Sequence, residues 1–497
     1  MPPSRPGPRT SLPPGSHAAA TWTIPADYGG MTSAMLRRSR SFVQEAGVPV
    51  RILTFAPDLD VDAVRASLES RGELIDGTTL HNVWHDVCRL PDDALGVPRR
   101  ARPARVPAAA PGERVRTEGG GDGPGPGDGE GDGEDDETGR VLHFRPDGSL
   151  AAVEERSRVG RRAVTLYARD GRRGRRLPSV WALYRSWLED VLPAGPRFVV
   201  VDSKTMVPFF AAGGCRDLRT VHVVHGAHLA ADAVDAHGPL TTARAPLVEH
   251  LDDFDAVVFL TDAQRRDVLD RVGERAHTVV VPNGTDLPDG PVPAHADRYR
   301  GAVVASLVLR KRVGHAVTAT GRAARRTGLG LTLDVYGDGP RRAAVEARAA
   351  TVPGVTLHGF VPGAADRLSA ASYLLVTSRS EGLPLVFAEA MARGCVPISY
   401  DIRYGPSDIV TDGVDGFLVP DGDVDALAAA IERFVTLDDA AVRRMREAAV
   451  ATARGYSDAA VVARWAEVLH DVARRPGPAR RLPVVRHVAG MLRRAPH

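Results

Sequence analysis

The sequence predicts an α/β protein built from two Rossmann-like domains in tandem. Three observations predict it. The chain has 497 residues, too many for one ordinary domain and enough for two. Short apolar runs ending in polar residues alternate with amphipathic stretches, the rhythm of parallel strands and their covering helices. That rhythm occurs twice, with a restart near residue 300.

The elements follow in order. Residues 1–20, MPPSRPGPRTSLPPGSHAAA, lack the apolar core of a secretory signal and read as a disordered tail. The first domain is assigned to residues 21–297. In it WTIPADYGGMTSAMLRRSRSFVQEAG reads as a strand, a glycine turn and an amphipathic helix, and VPVRILTFAP as a second strand. Residues 96–140 break the pattern with a basic, Pro/Ala-rich stretch and then TEGGGDGPGPGDGEGDGEDDETG. Glycine and acid without an apolar residue cannot offset the entropy of ordering, so this reads as a disordered insertion. A calcium-binding repeat would need an apolar position that is missing. Residues 141–170 read as a small β-meander with turns at Pro146-Asp147-Gly148 and Asp170-Gly171. FVVVDSK, TVHVVHG, AVVFLTD and HTVVVPNG then resume the α/β pattern.

The second domain is assigned to residues 298–475. Its strands are GAVVASLVLRKR, LTLDVYGDGP, VTLHGF, SYLLVTSRSEG and VPISYDI, with RRAAVEARAA and LPLVFAEAMARG as helices between them. Residues 476–497 are basic and partly amphipathic, readable as a tail, a closing helix or a membrane-surface contact. Two such domains are expected to face a cleft, the usual place for a reaction between two substrates.

Composition narrows the classes. A net charge of +2 gives no footing for a nucleic-acid partner. Cys88, Cys215 and Cys395 are odd in number and far apart, fitting neither a disulfide framework nor a zinc site. No apolar run is long enough to cross a bilayer, so the expected location is the cytoplasm, at most touching the inner membrane surface. Nearly all the positive charge is arginine, and the lysines are Lys204 and Lys311. A lysine that persists against such a bias suggests a place where arginine does not serve.

The strongest chemical signal is SRSEGLPLVFAEAMARG, residues 378–394. Gly382, Leu383, Pro384 and Leu385 form a helix start between Glu381 and Glu389. Exposed N–H groups and the positive dipole end there suit a diphosphate, and Pro384 loses no needed bond. Eight helical residues would span about 12 Å, on the order of the distance from sugar ring to ribose in a nucleotide sugar. One carboxylate then reaches the sugar and the other the ribose. An ordinary surface helix would use two acids without this E-G-L-P-L context.

These motifs resemble the family 4 glycosyltransferases of the GT-B fold. Glu381 and Glu389 match the family's E-x7-E. VYGDGP at 335–340, with Gly337 and Gly339, resembles its glycine loop near the nucleotide. VTLHGFV at 355–361 and VPNG at 281–284 match further landmarks. GGMTSAMLRRSRSF at 29–42, FLTDAQRRDV at 259–268 and YDIRYGPSDIVTDGVDGFLV at 400–419 resemble a subgroup. That subgroup holds the poly(glycerol-phosphate) α-glucosyltransferases of teichoic acid synthesis and related adhesin N-acetylglucosaminyltransferases.

The resemblance implies a retaining hexosyl transfer from a UDP-sugar to a hydroxyl of a polyol-phosphate polymer, glycan or protein. It implies no cofactor and no metal. Lys311 falls on the family's pyrophosphate lysine, and Ser306 falls where a second cation, arginine, is expected; Arg310 or Arg312 is left to substitute. Gly29 and Gly30 open a helix where backbone can approach a phosphate. His225 or His228 lies beside the sugar, or packs. Lys204, Arg403 and Tyr404 are acceptor-side candidates, Lys204 through an anionic acceptor. Asp58-Leu59-Asp60 could imitate the metal-binding Asp-x-Asp of the GT-A glycosyltransferases, but the helical run that follows makes Asp60 an N-cap. A catalytically degenerate GT-B partner protein and a sugar-nucleotide epimerase are the rival readings.

Overall fold

The computed structural model describes residues 10–98, 101–118, 139–156, 162–288 and 297–476, apart from 105, 108, 111, 231, 232, 234, 243, 276 and 286. Most of the acidic glycine tract and the basic C-terminal stretch therefore lie outside the described residues.

The strands, in chain order, begin with β1 (Ser16–Thr21), β2 (Val50–Thr54) and β3 (Thr78–Asn82). An antiparallel group follows: β4 (Val115–Glu118), β5 (Arg140–Phe144), β6 (Leu150–Arg156), β7 (Arg162–Tyr167) and β8 (Arg173–Leu177). Then come β9 (Arg197–Val201), β10 (Leu218–Val224), β11 (Ala256–Phe259) and β12 (Thr278–Val280). The last six are β13 (Arg300–Val304), β14 (Thr332–Tyr336), β15 (Val355–Gly359), β16 (Tyr373–Val376), β17 (Val396–Asp401) and β18 (Phe417–Pro420).

Three sheets result. One has the order β12-β11-β10-β9-β1-β2-β3 and another β15-β14-β13-β16-β17-β18. Their registered neighbours run parallel, as in β13 beside β14 and β16. Both show the order reversal at which Rossmann-like sheets hold ligands. Burial on both faces explains why their strands read as continuous apolar runs: β9, β11 and β16 are buried throughout.

Two expectations need correction. The first twenty residues are not all tail, because Ser16–Thr21 is the strand between β9 and β2. Its SHAAAT sequence has little intrinsic strand preference, and tertiary context overrides it. Alanine leaves the packing to neighbours: His17 stacks on Phe198 at 5.1 Å and bonds the Pro13 carbonyl. The WTIP segment is correspondingly not a strand.

The inserted meander is also larger than 141–170. It runs over five strands in the order β4-β5-β6-β7-β8, so part of the 96–140 insertion, Val115–Glu118, is an ordered edge strand. Its short, half-exposed VRTE sequence gave no alternation to read. Both foreseen turns form: Asp147 accepts from the Ser149 N–H and Asp170 from the Arg172 N–H, with Gly148 and Gly171 left-handed.

The chain divides into two compact units. One comprises Ser11–His222, Glu249–Ala256 and the residues from Leu469; the other comprises Val223–Val248 and Val257–Val468. The core of the second unit packs the helices Val313–Thr327 and Val424–Thr436 on the β13–β18 sheet.

Candidate functional site

The site is built within the second unit on loops at the carboxyl ends of β13, β14, β16 and β17. After β13 the chain makes a short turn, Leu309–Lys311, before the helix Val313–Thr327. After β16 it runs through Ser380-Glu381-Gly382-Leu383 into the helix Leu385–Ala392, with Pro384 as N-cap. That helix has no side-chain cap and no acid in its first turn, leaving its N-terminal N–H groups for another partner.

The helix begins four residues after Glu381, so the expected span of eight helical residues is not what separates the two acids. Only the part from Leu385 to Glu389 rises at the helical rate, and Glu381 is carried by irregular chain with a bend at Gly382. Pro384 disfavours helical geometry in Leu383, and its own extended backbone, ψ 117°, makes Leu385 the first helical residue.

Glu381 is nearly buried and faces two cations. The Lys311 ammonium bonds one carboxylate oxygen, and Arg310 Nη1 lies 3.1 Å from the other. Burial alone would raise the carboxyl pKa, but the charges of Lys311 and Arg310 outweigh it and hold it below the usual range. Of the two arginines that could replace the cation missing at exposed Ser306, Arg310 takes the place beside Glu381.

Arg312 has a different task. Its Nε and Nη2 donate to the carbonyls of Thr377 and Ser378 at 3.0 and 2.7 Å. Nη2 also meets Asp421, and the guanidinium lies 4.9 Å from the Tyr400 ring centroid. Its backbone is left-handed at φ 46°, a conformation costly for a residue with a Cβ. Thr377 Oγ1 donates back to the Lys311 carbonyl, and the Arg379 N–H to the Arg310 carbonyl. The turn carrying Lys311 is thereby tied to the segment carrying Glu381.

The glycines enforce close approach. A Cβ on Gly337 would overlap the Ala305 carbonyl, and one on Gly339 would lie 2.8 Å from the Leu307 carbonyl. Both have positive φ, 143° and 151°. They lay the GDG loop against the segment that holds Ser306. A Cβ on Gly382 would overlap the His225 carbonyl, and one on Gly405 would meet the Gly382 carbonyl and Pro384. Leu383 and Pro384 are buried in this packing.

His225 and Tyr404 meet the Glu381–Pro384 segment: Gly382 packs on the His225 carbonyl, and the Tyr404 N–H points to the Glu381 carbonyl at 3.5 Å. His228 is fully buried and stacks parallel to the Tyr404 ring at 5.6 Å. Burial lowers its pKa to about 4, leaving it neutral near pH 7. The Tyr404 hydroxyl donates to Asp267 at 2.7 Å, and Arg403 pairs with the same carboxylate at 3.4 Å. His222 belongs to the other unit, with its Nδ1 on the Val201 carbonyl. Among the described residues no group of three His, Cys, Asp or Glu could hold a metal ion. Asp60 is an N-cap, accepting from the Ala63 N–H.

The other unit holds the remaining candidates. Gly29 and Gly30 stand at the start of the helix Gly30–Ala46, and nothing lies within 4 Å of a Cβ added to either. The fold itself does not require glycine there. Lys204 is exposed just after β9. Sequence reasoning overlooked Asp267, Thr377 and Tyr400. Asp267 stood within the FLTDAQRRDV motif and Tyr400 opened the YDIRYGPSD motif, whereas Thr377 sat in ordinary strand-end sequence.

The fold and this cluster define a GT-B glycosyltransferase framework. Residues 140–288 match Glycosyltransferase Family 4, and residues 299–436 match Glycosyl transferases group 1. The chain carries the domains of the family 4 glycosyltransferases. It is 26% identical over 225 residues to the poly(glycerol-phosphate) alpha-glucosyltransferase of Bacillus subtilis, covering 44% of this chain and 33% of that protein. It is 31% identical over 245 residues to exopolysaccharide phosphotransferase SCO2592 of Streptomyces coelicolor, covering 47% and 25%. The chain thus spans a third or less of these curated relatives. The structure of a Staphylococcus aureus TarM mutant in complex with Fondaparinux, alpha-GlcNAc-glycerol and UDP superposes with a TM-score of 0.68 at 17% identity, over 92% of this chain and all of that one.

Proposed function

We propose that the chain transfers a hexosyl group, glucose or N-acetylglucosamine, from a UDP-sugar to a hydroxyl of a cell-surface polymer such as a polyol phosphate, or of a glycoconjugate, with anomeric retention. One observation carries the reading: Lys311 and Arg310 converge on Glu381 beside the uncapped helix that bears Glu389. The relatives named above support the polymer and the nucleotide.

In the proposed reaction Lys311, Arg310 and the helix start hold the diphosphate. Glu381 orients the sugar and both cations, and Glu389 the ribose. The bond from the anomeric carbon to the diphosphate oxygen breaks, and the acceptor oxygen bonds that carbon on the same face. The acceptor's proton passes to the departing phosphate. Two cations offset the charge that develops there, so no protein nucleophile and no metal is used. Gly29 and Gly30 approach the donor by backbone, His225 lies beside the sugar, and His228, Arg403, Tyr404 and Lys204 serve the acceptor side. Among the described residues no helix is long and apolar enough to cross a membrane. The reading places the chain in the cytoplasm, with the basic C-terminal stretch as a contact to the membrane surface.

A second reading, a degenerate GT-B partner protein, is favoured by Ser306 alone, and Arg310 beside Glu381 opposes it. A screen of UDP release with UDP-glucose, UDP-N-acetylglucosamine and GDP-mannose tests the proposal, with Glu381→Ala as control. Release from either UDP-sugar that Glu381→Ala abolishes supports transfer. Binding of GDP-mannose alone overturns the nucleotide, and no turnover of any donor overturns the enzyme.

A further inference from the structure

A cleft of about 370 Å³ lies on the helical side of the second unit. It runs between the helices Val313–Thr327 and Arg342–Ala349 and reaches Val424 at the start of a third. Its floor is apolar, with Val313 and Val345. Arg312, Arg322, Arg341 and Arg348 line it together with His315, and no carboxylate does. Lys311, Glu381 and Glu389 are not part of it.

The charges do not cancel. Arg312 is paired with Asp421, and Arg322 with Asp425 at 2.8 Å. Asp425 is shared with Arg326. Arg341 and Arg348 have no carboxylate partner among the described residues, so the lining keeps two uncompensated guanidinium groups. Arg348 donates to the Thr318 hydroxyl at 2.8 Å and lies along the start of the Val313 helix, where Gly314 leaves it room. Neither of the first two helices has a side-chain cap or an acid in its first turn, so both starts add positive potential. An exposed arginine alone is cheap to solvate. Four in one concave lining without an acid form a receptor for an anion.

We propose that this cleft is a second anion site that binds organic phosphate esters, separate from the Lys311–Glu381 site. The guanidinium rim takes the phosphate and the apolar floor takes the organic part. The volume suits a small phosphate ester or a short stretch of a phosphodiester chain. The same chemistry has two sources, an acceptor polymer's phosphodiester or a free ester. The site stands whether or not the chain transfers sugar.

Isothermal titration of the full chain in saturating UDP tests it, with a glycerol-phosphate oligomer, glycerol 3-phosphate and inorganic phosphate as probes. The expected result is one ester bound per chain, weakened at least about tenfold by the double change Arg341→Gln and Arg348→Gln and weakened further by salt. Both side chains are exposed, and a thermal melt verifies that the double variant folds. Tighter binding of the oligomer assigns the site to a polymer, and equal binding of both esters to a free metabolite. Displacement by UDP overturns the proposal. So does wild-type affinity in the double variant, inorganic phosphate binding as tightly as the esters, or no ester binding at millimolar concentration.

Discussion

Gly382 lies against the main-chain carbonyl of His225, so closely that a methyl group at position 382 would overlap that oxygen. The contact joins the Glu381 segment to the loop after β10. Backbone meets backbone here, so neither side can yield by rotating a side chain. Gly382→Ala is expected to cost about 1–3 kcal/mol, the usual range for overpacking. A lowered melting temperature together with reduced UDP release is the expected outcome. An unchanged melt would sink the packing argument.

Lys311→Ala is expected to lower kcat by about 10²–10³-fold, the range for removing one donor aimed at developing charge. Lys311→Arg is expected to recover little, because a planar guanidinium does not replace a compact ammonium on Glu381. Steady-state kinetics on the UDP-sugar that turns over measures both. Full activity in Lys311→Ala removes the residue from the site.

If Arg310 stands in for the cation absent at Ser306, the two positions are exchangeable. Arg310→Ala is expected to reduce activity, and adding Ser306→Arg to that variant to restore much of it. Absence of rescue, with the double variant still binding UDP, would leave Arg310 as a neutralising partner of Glu381 only.

Arg312 separates stability from activity. Replacing it with alanine removes the bonds to Thr377, Ser378 and Asp421 while keeping the left-handed backbone. Arg312→Gly loses the same bonds but relieves about 1–2 kcal/mol of backbone cost. The glycine variant is therefore expected to melt higher than the alanine variant, and both are expected to have a similar, reduced kcat. If the glycine variant regains activity with stability, Arg312 does not position Lys311.

His228 gives a pH signature. Its folded pKa is lowered to about 4 from an ordinary 6.5, so between those values the unfolded chain binds the extra proton. Stability is then lost as pH falls from 6.5 toward 4, with a limiting slope of about 1.4 kcal/mol per pH unit from this group. Denaturant titrations of His228→Asn are expected to show a shallower acid slope. An identical slope means that His228 stays protonatable in the fold.

Much of the second domain was legible, because strands buried on both faces, such as those at Tyr373–Val376 and Val396–Asp401, read as apolar runs between turns. The alanine strand Ser16–Thr21 was not, since its place comes from β2 and β9 rather than from its own side chains. Lys311 and Glu381 were each singled out by a motif, but their pairing with one another was not foreseen. Nor was the clamp that Arg312 makes with Thr377 and Tyr400, because Arg312 and Tyr400 lay in separate motifs and their contacts join residues dozens of positions apart. The cleft lined by Arg341 and Arg348 was hidden for the same reason.

The left-handed turn at Arg312 also bears on how a ligand is met. The loops bearing Lys311 and Glu381 are bonded to each other before anything arrives. Immobilising a long side chain on binding costs about 0.5–1.5 kcal/mol. For Lys311, Arg310 and Glu381 that entropy is already lost during folding. Affinity for an anion at this clamp is therefore set mainly by stripping its water and displacing the internal ion pairs, and little by ordering the protein.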